Sequence, residues 1–201
     1  MIIDSLDALR ALYGPAKERA LRKQLPALDA HGMRFVSLSP FVVLSSLGHD
    51  GLLDASPRGG DPGFVLAADP YTLLIPDASG NNRLDTLQNI VHTARLGLLF
   101  MIPGVDETLR VNGTARLTTD DACLARFAGR ERAPRLVIEV SVTEAYLHCA
   151  KAFMRSRLWS ADVQVPRSAL PTMGQMLRDQ IGDATPIESQ EDMLARYRAE
   201  L

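Results

Sequence analysis

The chain is poor in cysteine, has no long apolar run and carries no excess of one charge. Cys123 and Cys149 are the only cysteines among 201 residues, and no CxxC occurs. Two such thiols do not make a disulfide framework in a reducing compartment. The histidines His31, His49, His92 and His148 are scattered without metal-ligand spacing, so no metal is expected. No stretch reaches the roughly 18 to 20 apolar residues a membrane-spanning helix needs. Asp4 and Asp7 stand where a signal peptide would carry basic and apolar residues. A cytoplasmic protein without a membrane partner is expected. The formal net charge of -2 and pI near 6.1 argue against the broad basic surface of a nucleic-acid binder and against a polybasic membrane anchor. There is no G-x-S-x-G nucleophile elbow, and "IPGVDETLRVNG" lacks the G-x-G-x-x-G spacing of a dinucleotide fingerprint. His148 and Cys149 are neighbours on a strand and point to opposite faces, so they do not make a nucleophile and its base. His49 reads as a turn residue and His92 as helix-flank packing.

What is present is a sizeable core. Hydrophobic residues make up 46%, enough for one domain over 1–201, with helical extensions expected at 1–32 and 160–201. "SLDALRALYGP" and "PAKERALRKQLP" read as two helices, closed by Gly14-Pro15 and by Pro26. From Phe41 the texture changes to strands. "FVVLSSLGHDGLLDAS" is strand, turn, strand around Asp50-Gly51. "GFVLAAD" and "YTLLIPD" follow, divided by Asp69-Pro70. A helix over roughly 83–94 should bury Leu87, Ile90, Val91 and Ala94. "RLGLLFMIPG" is an apolar strand. "DETLRVNGTARLTTD" alternates Leu109, Val111, Gly113, Ala115 and Leu117 on one side. "TDDACLARFAG" is a short helix. The long strand "RLVIEVSVTEAYLHCA" puts Val137, Glu139, Ser141 and Thr143 on one face and Leu136, Ile138, Val140 and Val142 on the other. Helices near 172–181 and 188–199 close the chain. About six strands in succession, joined by hairpins, predict a mainly β, α+β protein: an antiparallel barrel with peripheral helices.

One stretch, "DASGNNRLDTLQNI", runs from loop into helix. Asn82 suits the cap position, and Asp85 stands three residues on, where a capping-box partner would sit. Arg83 does not fit that reading alone, because a cation in the first turn opposes the helix dipole by a few tenths of a kcal/mol. It fits a bound anion, for which free N–H groups, the positive dipole end and a guanidinium fork are suited. Arg58, upstream in "DASPRGGDPG", is followed by glycines that would let a ligand approach the backbone. From these residues alone, a solvated loop and a phosphate site both remain open.

The series "SPRG", "YTLLIPDASGNNRLDTLQNI", "RLGLLFMIPG", "LRVNGTARLT" and "HCAKAFMRSRLW" resembles the FMN-binding split-barrel flavoproteins related to pyridoxamine 5'-phosphate oxidase, in particular the probable FMN-dependent enzymes of unknown substrate. The resemblance covers roughly residues 30 to 160. It implies a six-stranded antiparallel split β-barrel working as a homodimer, with FMN at the subunit interface. Arg58 and Arg83 would hold the FMN phosphate, with Gly59 beside them, and Asn82 and Thr86 would add hydrogen bonds. The backbone of Ile75, Pro76 and Asp77 would run along the isoalloxazine ring, and Gln88 and Asn89 would be further polar contacts. The second protomer would supply Lys151, Arg155, Ser156 and Trp159. The C-terminal Arg-and-His substrate motif of pyridoxamine 5'-phosphate oxidase is absent from the tail after Trp159, which speaks against vitamin B6 oxidation. The resemblance thus implies an FMN-dependent oxidoreductase acting on a small molecule. A flavin- or haem-binding module without catalysis, or an F420-dependent reductase, are alternatives on the same barrel. No catalytic residue can be named from the sequence.

Overall fold

A computed structural model describes residues 2–77, 80–130, 133–182 and 187–200. These form two compact units, Met1–Trp159 and Ser160–Leu201.

The first unit opens with three helices, α1 (Leu6–Tyr13), α2 (Glu18–Arg22) and α3 (Ala30–Leu38). The first two bury no residue. The third was not expected from sequence: Asp29 caps it by accepting from Gly32 N–H at 2.7 Å, and it buries Phe35 and Val36. Seven strands follow: β1 (Phe41–Leu47), β2 (Leu53–Gly59), β3 (Leu66–Asp69), β4 (Thr72–Pro76), β5 (Arg95–Met101), β6 (Thr108–Thr118) and β7 (Val137–His148). Every pairing is antiparallel, in the order β2-β1-β5-β6-β7-β4-β3. This corrects the expected six-stranded barrel. Among the described residues the sheet has seven strands and stays open, with β2 and β3 as its two edges. Both edges exist because each hairpin turn contributes an outer strand. Gly51 supplies φ 80° in the first turn, and the Asp69 carboxylate accepts from Tyr71 N–H at 2.7 Å in the second.

The remaining helices are α4 (Asp85–Thr93), α5 (Asp121–Ala125) and α6 (Lys151–Ser156). Period-two burial decides what each strand covers. Val42, Leu44, Leu98, Phe100, Leu109, Val111, Ile138 and Val140 turn inward and meet Phe35 and Val36 of α3 and Leu87 and Ile90 of α4. Val91 does not join them; it is 70% exposed, because it lies beyond the buried stripe of the short helix. In β4 the apolar run is continuous, since both faces are covered. Leu73 and Ile75 face the main core, while Leu74 joins Phe127 and Val137 in a second cluster under α5. Val137 is therefore buried, unlike its expected face-mates Ser141 and Thr143, which are exposed.

The β6–β7 register passes from Asn112↔Glu144 to Gly113↔Val142, skipping Thr143. This bulge shifts the buried parity of β7, so that Val142 and then Ala145 turn inward. It also forces glycine at 113, where an added Cβ would lie 2.1 Å from the Ser141 carbonyl oxygen.

The second unit contains two short 3-10 turns, Ala161–Val163 and Arg167–Ala169, and the helices α7 (Met173–Ile181) and α8 (Gln190–Glu200). Thr172 caps α7 by accepting from Gln175 N–H. The Glu188 carboxylate pairs with Arg196 at 2.8 Å, and the hydrogen bond from Arg196 holds the Glu188 carboxyl below its ordinary value.

Candidate anion-binding cleft

The alternation of β2 sets the site. Asp54, Ser56 and Arg58 share its half-buried face, which turns toward α4. The carboxylate of Asp54 accepts from the Thr86 hydroxyl at 2.6 Å and from Ser56 Oγ at 3.0 Å. Asn89 donates to Ser46 Oγ at 3.0 Å. These bonds fasten α4 to the β1–β2 hairpin, and Thr86 is 2% exposed. Burial makes such a bond worth more than a surface one, because a lone Thr86 hydroxyl would have no water to turn to.

The entry to α4 is unusual. Asn82 and Leu84 adopt φ of 59° and 61°, the left-handed region that costs a residue like leucine about 1 to 2 kcal/mol. Leu84 occupies the cap position and offers no side-chain acceptor. Asn82 is therefore not the helix cap, and Asp85 is not its capping-box partner. Asn82 lies in the preceding turn, where the Asn81 side chain accepts from Arg83 N–H at 3.1 Å, since asparagine tolerates positive φ as readily as it caps. Asp85 instead pairs with Arg83 Nε at 2.5 Å. That pair is solvated, with Arg83 77% exposed, so it contributes no more than about 1 kcal/mol and yields readily to a better acceptor. The helix start keeps its N–H groups without a side-chain cap, a strained, pre-set arrangement of the sort found at ligand clamps.

A cleft of about 590 Å³ opens here, lined among others by Arg58, Gly59, Asp77, Asn82, Arg83, Thr86 and Arg135. Six of the residues singled out from the sequence thus come together. Neither Arg58 nor Arg135 is ion-paired with a described carboxylate; Arg58 donates only to the carbonyl of Pro57, at 3.0 Å. Burial raises the Asp77 carboxyl above its ordinary value, against the opposing pull of Arg58 and Arg135. Ile75 and Pro76 run beside the cleft, paired with Ile138 and Val137 of β7. The β3 pairing stops at Leu66↔Leu74, so beyond Leu74 the other edge of β4 is outside any described strand pair.

The remaining candidates lie elsewhere in this chain. Gln88 donates to the Arg83 carbonyl at 3.3 Å, and Asn89 is committed to Ser46; neither lines the cleft. Lys151 lines a separate groove of about 530 Å³ with Lys23, His148 and Cys149. Burial, then Arg110 and Lys23, holds the His148 imidazole below its ordinary value. Ser156 Oγ donates to the Phe153 carbonyl at 3.1 Å, Arg155 is exposed, and Trp159 Nε1 donates to Val105 O at 2.9 Å with its ring 5.4 Å from Phe153. Gly60 is explained by packing and not by ligand approach, because a Cβ there would meet Phe64 at 2.8 Å.

Arg135 was missed from the sequence. It stands just before β7, where the Asp77 N–H donating to Leu136 O at 3.1 Å holds the neighbouring backbone at the cleft. The cleft suits an anion such as a phosphate monoester: two guanidiniums without an ion pair to a described carboxylate, a third in a weak pair and an uncapped helix start supply donors of the right charge.

The family described as pyridoxamine 5'-phosphate oxidase matches residues 28–149, which includes the whole cleft. No curated protein matches the chain. Among solved structures, HupZ from Group A Streptococcus superposes with a TM-score of 0.51 at 15% identity, over 60% of this chain and 93% of that one. A putative pyridoxamine 5'-phosphate oxidase from Lactobacillus delbrueckii gives a TM-score of 0.49 at 19% identity, over 62% and 98%. An FMN-binding protein from Syntrophomonas wolfei gives 0.46 at 10% identity, over 72% and 97%.

Proposed function

Since the chain belongs to the pyridoxamine 5'-phosphate oxidase family, we propose that the arginine cleft holds the phosphate of FMN and that the protein is an FMN-dependent oxidoreductase acting on a small molecule. The observation that carries this reading is the convergence of Arg58, Arg83 and Arg135 on an uncapped helix start within one cleft. Arg58 and Arg135 have no ion pair to a described carboxylate, and Arg83 can exchange Asp85 for a phosphate oxygen. Each charge-assisted hydrogen bond contributes about 1.5 to 3 kcal/mol. The buried Thr86–Asp54 bond positions the helix start. Ile75 to Asp77 lead from the cleft along the β4 edge, where the ring would lie. FMN, when bound, supplies the hydride or electron transfer; the protein supplies binding, orientation and exclusion of water.

Lys151, Arg155, Ser156 and Trp159 do not line this cleft in their own chain. In the proposed homodimer they reach the flavin of the other protomer. Lys151 and Arg155, four residues apart on and about one turn of α6, would then place positive charge near a ring that becomes anionic on reduction.

The test is the absorption spectrum of the purified protein, followed by mass spectrometry of the released cofactor. The reading expects flavin bands and the mass of FMN. A Soret band, or the mass of F420, would replace FMN with haem or deazaflavin. Steady NAD(P)H consumption with an electron acceptor supports catalysis; bound flavin that never turns over with any donor contradicts it.

A further inference from the structure

We propose that His49 and His92 form a two-imidazole site for a transition-metal cation of the zinc class, and that a bound ion ties the β1–β2 turn to the last turn of α4. The site is separate from the arginine cleft and does not depend on the flavin reading.

No sequence spacing announces the pair; the fold brings it together. The turn between β1 and β2 carries His49, and the last turn of α4 carries His92. Their ring centroids lie 5.0 Å apart, with the planes tilted by 51°. Two imidazoles on one zinc, each bonded through a nitrogen at about 2.0 to 2.1 Å and set near the tetrahedral angle, have centroids about 5 Å apart. Side-chain rotation alone can then bring a nitrogen of each ring to a shared ion. The backbone beneath is already set. Asn89 donates to Ser46 Oγ at 3.0 Å, and Thr93 Oγ1 donates to Leu47 O at 2.7 Å. These bonds flank His92 on the helix and precede His49 on the hairpin. The turn is closed by Gly48 N–H donating to Leu52 O at 2.8 Å and by Leu52 N–H donating to the Asp50 carboxylate at 3.0 Å. Gly48 is buried against the helix: an added Cβ would lie 3.2 Å from the Asn89 side-chain oxygen. Little ordering is left for an ion to impose.

Charge and ligand type select the ion. His92 stands at the C-terminal end of α4, where the helix dipole favours a cation. Imidazole nitrogens suit zinc, copper and nickel, whereas magnesium and calcium take oxygen ligands. Among the described residues no third His, Cys, Asp or Glu completes a cluster, so water fills the remaining positions. Both histidines are exposed, which leaves room for it. His148 beside Cys149 is a poorer candidate, because Lys23 and Lys151 share its groove and repel a cation.

The experiment is calorimetry of zinc chloride into the full chain, freed of any histidine tag, for wild type and the variants His49→Gln, His92→Gln and His148→Gln. All three side chains are exposed, so each variant should fold as wild type does. Wild type should bind one zinc per chain. That binding should vanish in His49→Gln and in His92→Gln and persist in His148→Gln, and magnesium chloride should give no binding heat. An ion that bridges two elements binds the folded chain alone. Zinc should therefore raise the melting temperature of wild type and leave that of His49→Gln and His92→Gln unmoved. Zinc binding kept by either of those two variants, lost in His148→Gln, or absent from wild type would overturn the proposal. Equal binding of magnesium would overturn it as well. Zinc bound without any rise in the melting temperature would overturn the tie between turn and helix.

Discussion

Removing the Asp54 carboxylate should loosen α4 and the cleft together. Thr86 Oγ1 donates to Asp54 at 2.6 Å and the residue is 2% exposed. In Asp54→Ala that hydroxyl has no acceptor and little access to water. A buried hydrogen bond to a carboxylate contributes about 1.5 to 3 kcal/mol, and an orphaned buried donor costs about 1 to 3 kcal/mol. Ser56 is half-buried and can turn to solvent, so it adds little. The expected loss is about 2 to 3 kcal/mol in urea unfolding. In Thr86→Val the Asp54 carboxylate keeps Ser56 and water, so the loss is smaller, about 1 kcal/mol. Once Thr86 is Val, deleting Asp54 should matter little. The double-mutant cycle should therefore return a coupling above about 1 kcal/mol. Strictly additive losses would show that the bond does not fasten the helix. Flavin binding should fall in Asp54→Ala although Asp54 is not placed against the phosphate.

Three further outcomes can be checked. Gly113→Ala should cost about 3 kcal/mol or more by collision with the Ser141 carbonyl, whereas Gly80→Ala, with nothing within 4 Å of the added Cβ, should leave the melting temperature unchanged. Asp77 has its carboxyl raised by burial, so it favours the folded state at low pH. That contribution is complete below the ordinary value of 3.8 and is lost as pH rises through the raised value. Asp77→Asn should accordingly match wild type in acid and exceed it in stability as pH rises toward neutrality, read from unfolding curves at a series of pH values. The His148 imidazole is held low by burial, then by Arg110 and Lys23. Its NMR titration should fall below the ordinary 6.5 and move upward in Lys23→Ala.

The strands were legible because their signal is local. Alternation in "DETLRVNGTARLTTD" and the turns at Asp50-Gly51 and Asp69-Pro70 depend on residues two to five positions apart. What failed was either ambiguous or distant. Asn82 carries two chemistries, capping and left-handed turning, and the pattern around it does not say which is used. Helix α3 has a cap at Asp29 and only a brief apolar stripe, interrupted by Gly32. The bond that ties Thr86 to Asp54, 32 residues away, has no signal in the sequence. Val91 lies within the apolar spacing, yet none of the described elements covers it. Arg135 has no motif at all; sheet register alone brings it beside Asp77. The extra parity step at Thr143 is likewise invisible, since a bulge shows only against the partner strand.

The most direct test of the central claim is the flavin content of the Arg58→Ala/Arg83→Ala protein, purified beside wild type and measured by visible absorption after denaturation. Loss of two charge-assisted contacts, each about 1.5 to 3 kcal/mol, should leave a folded protein essentially free of FMN while wild type retains it. A double variant that still carries the wild-type complement of FMN would contradict the account, because the cleft would then not be what grips the phosphate.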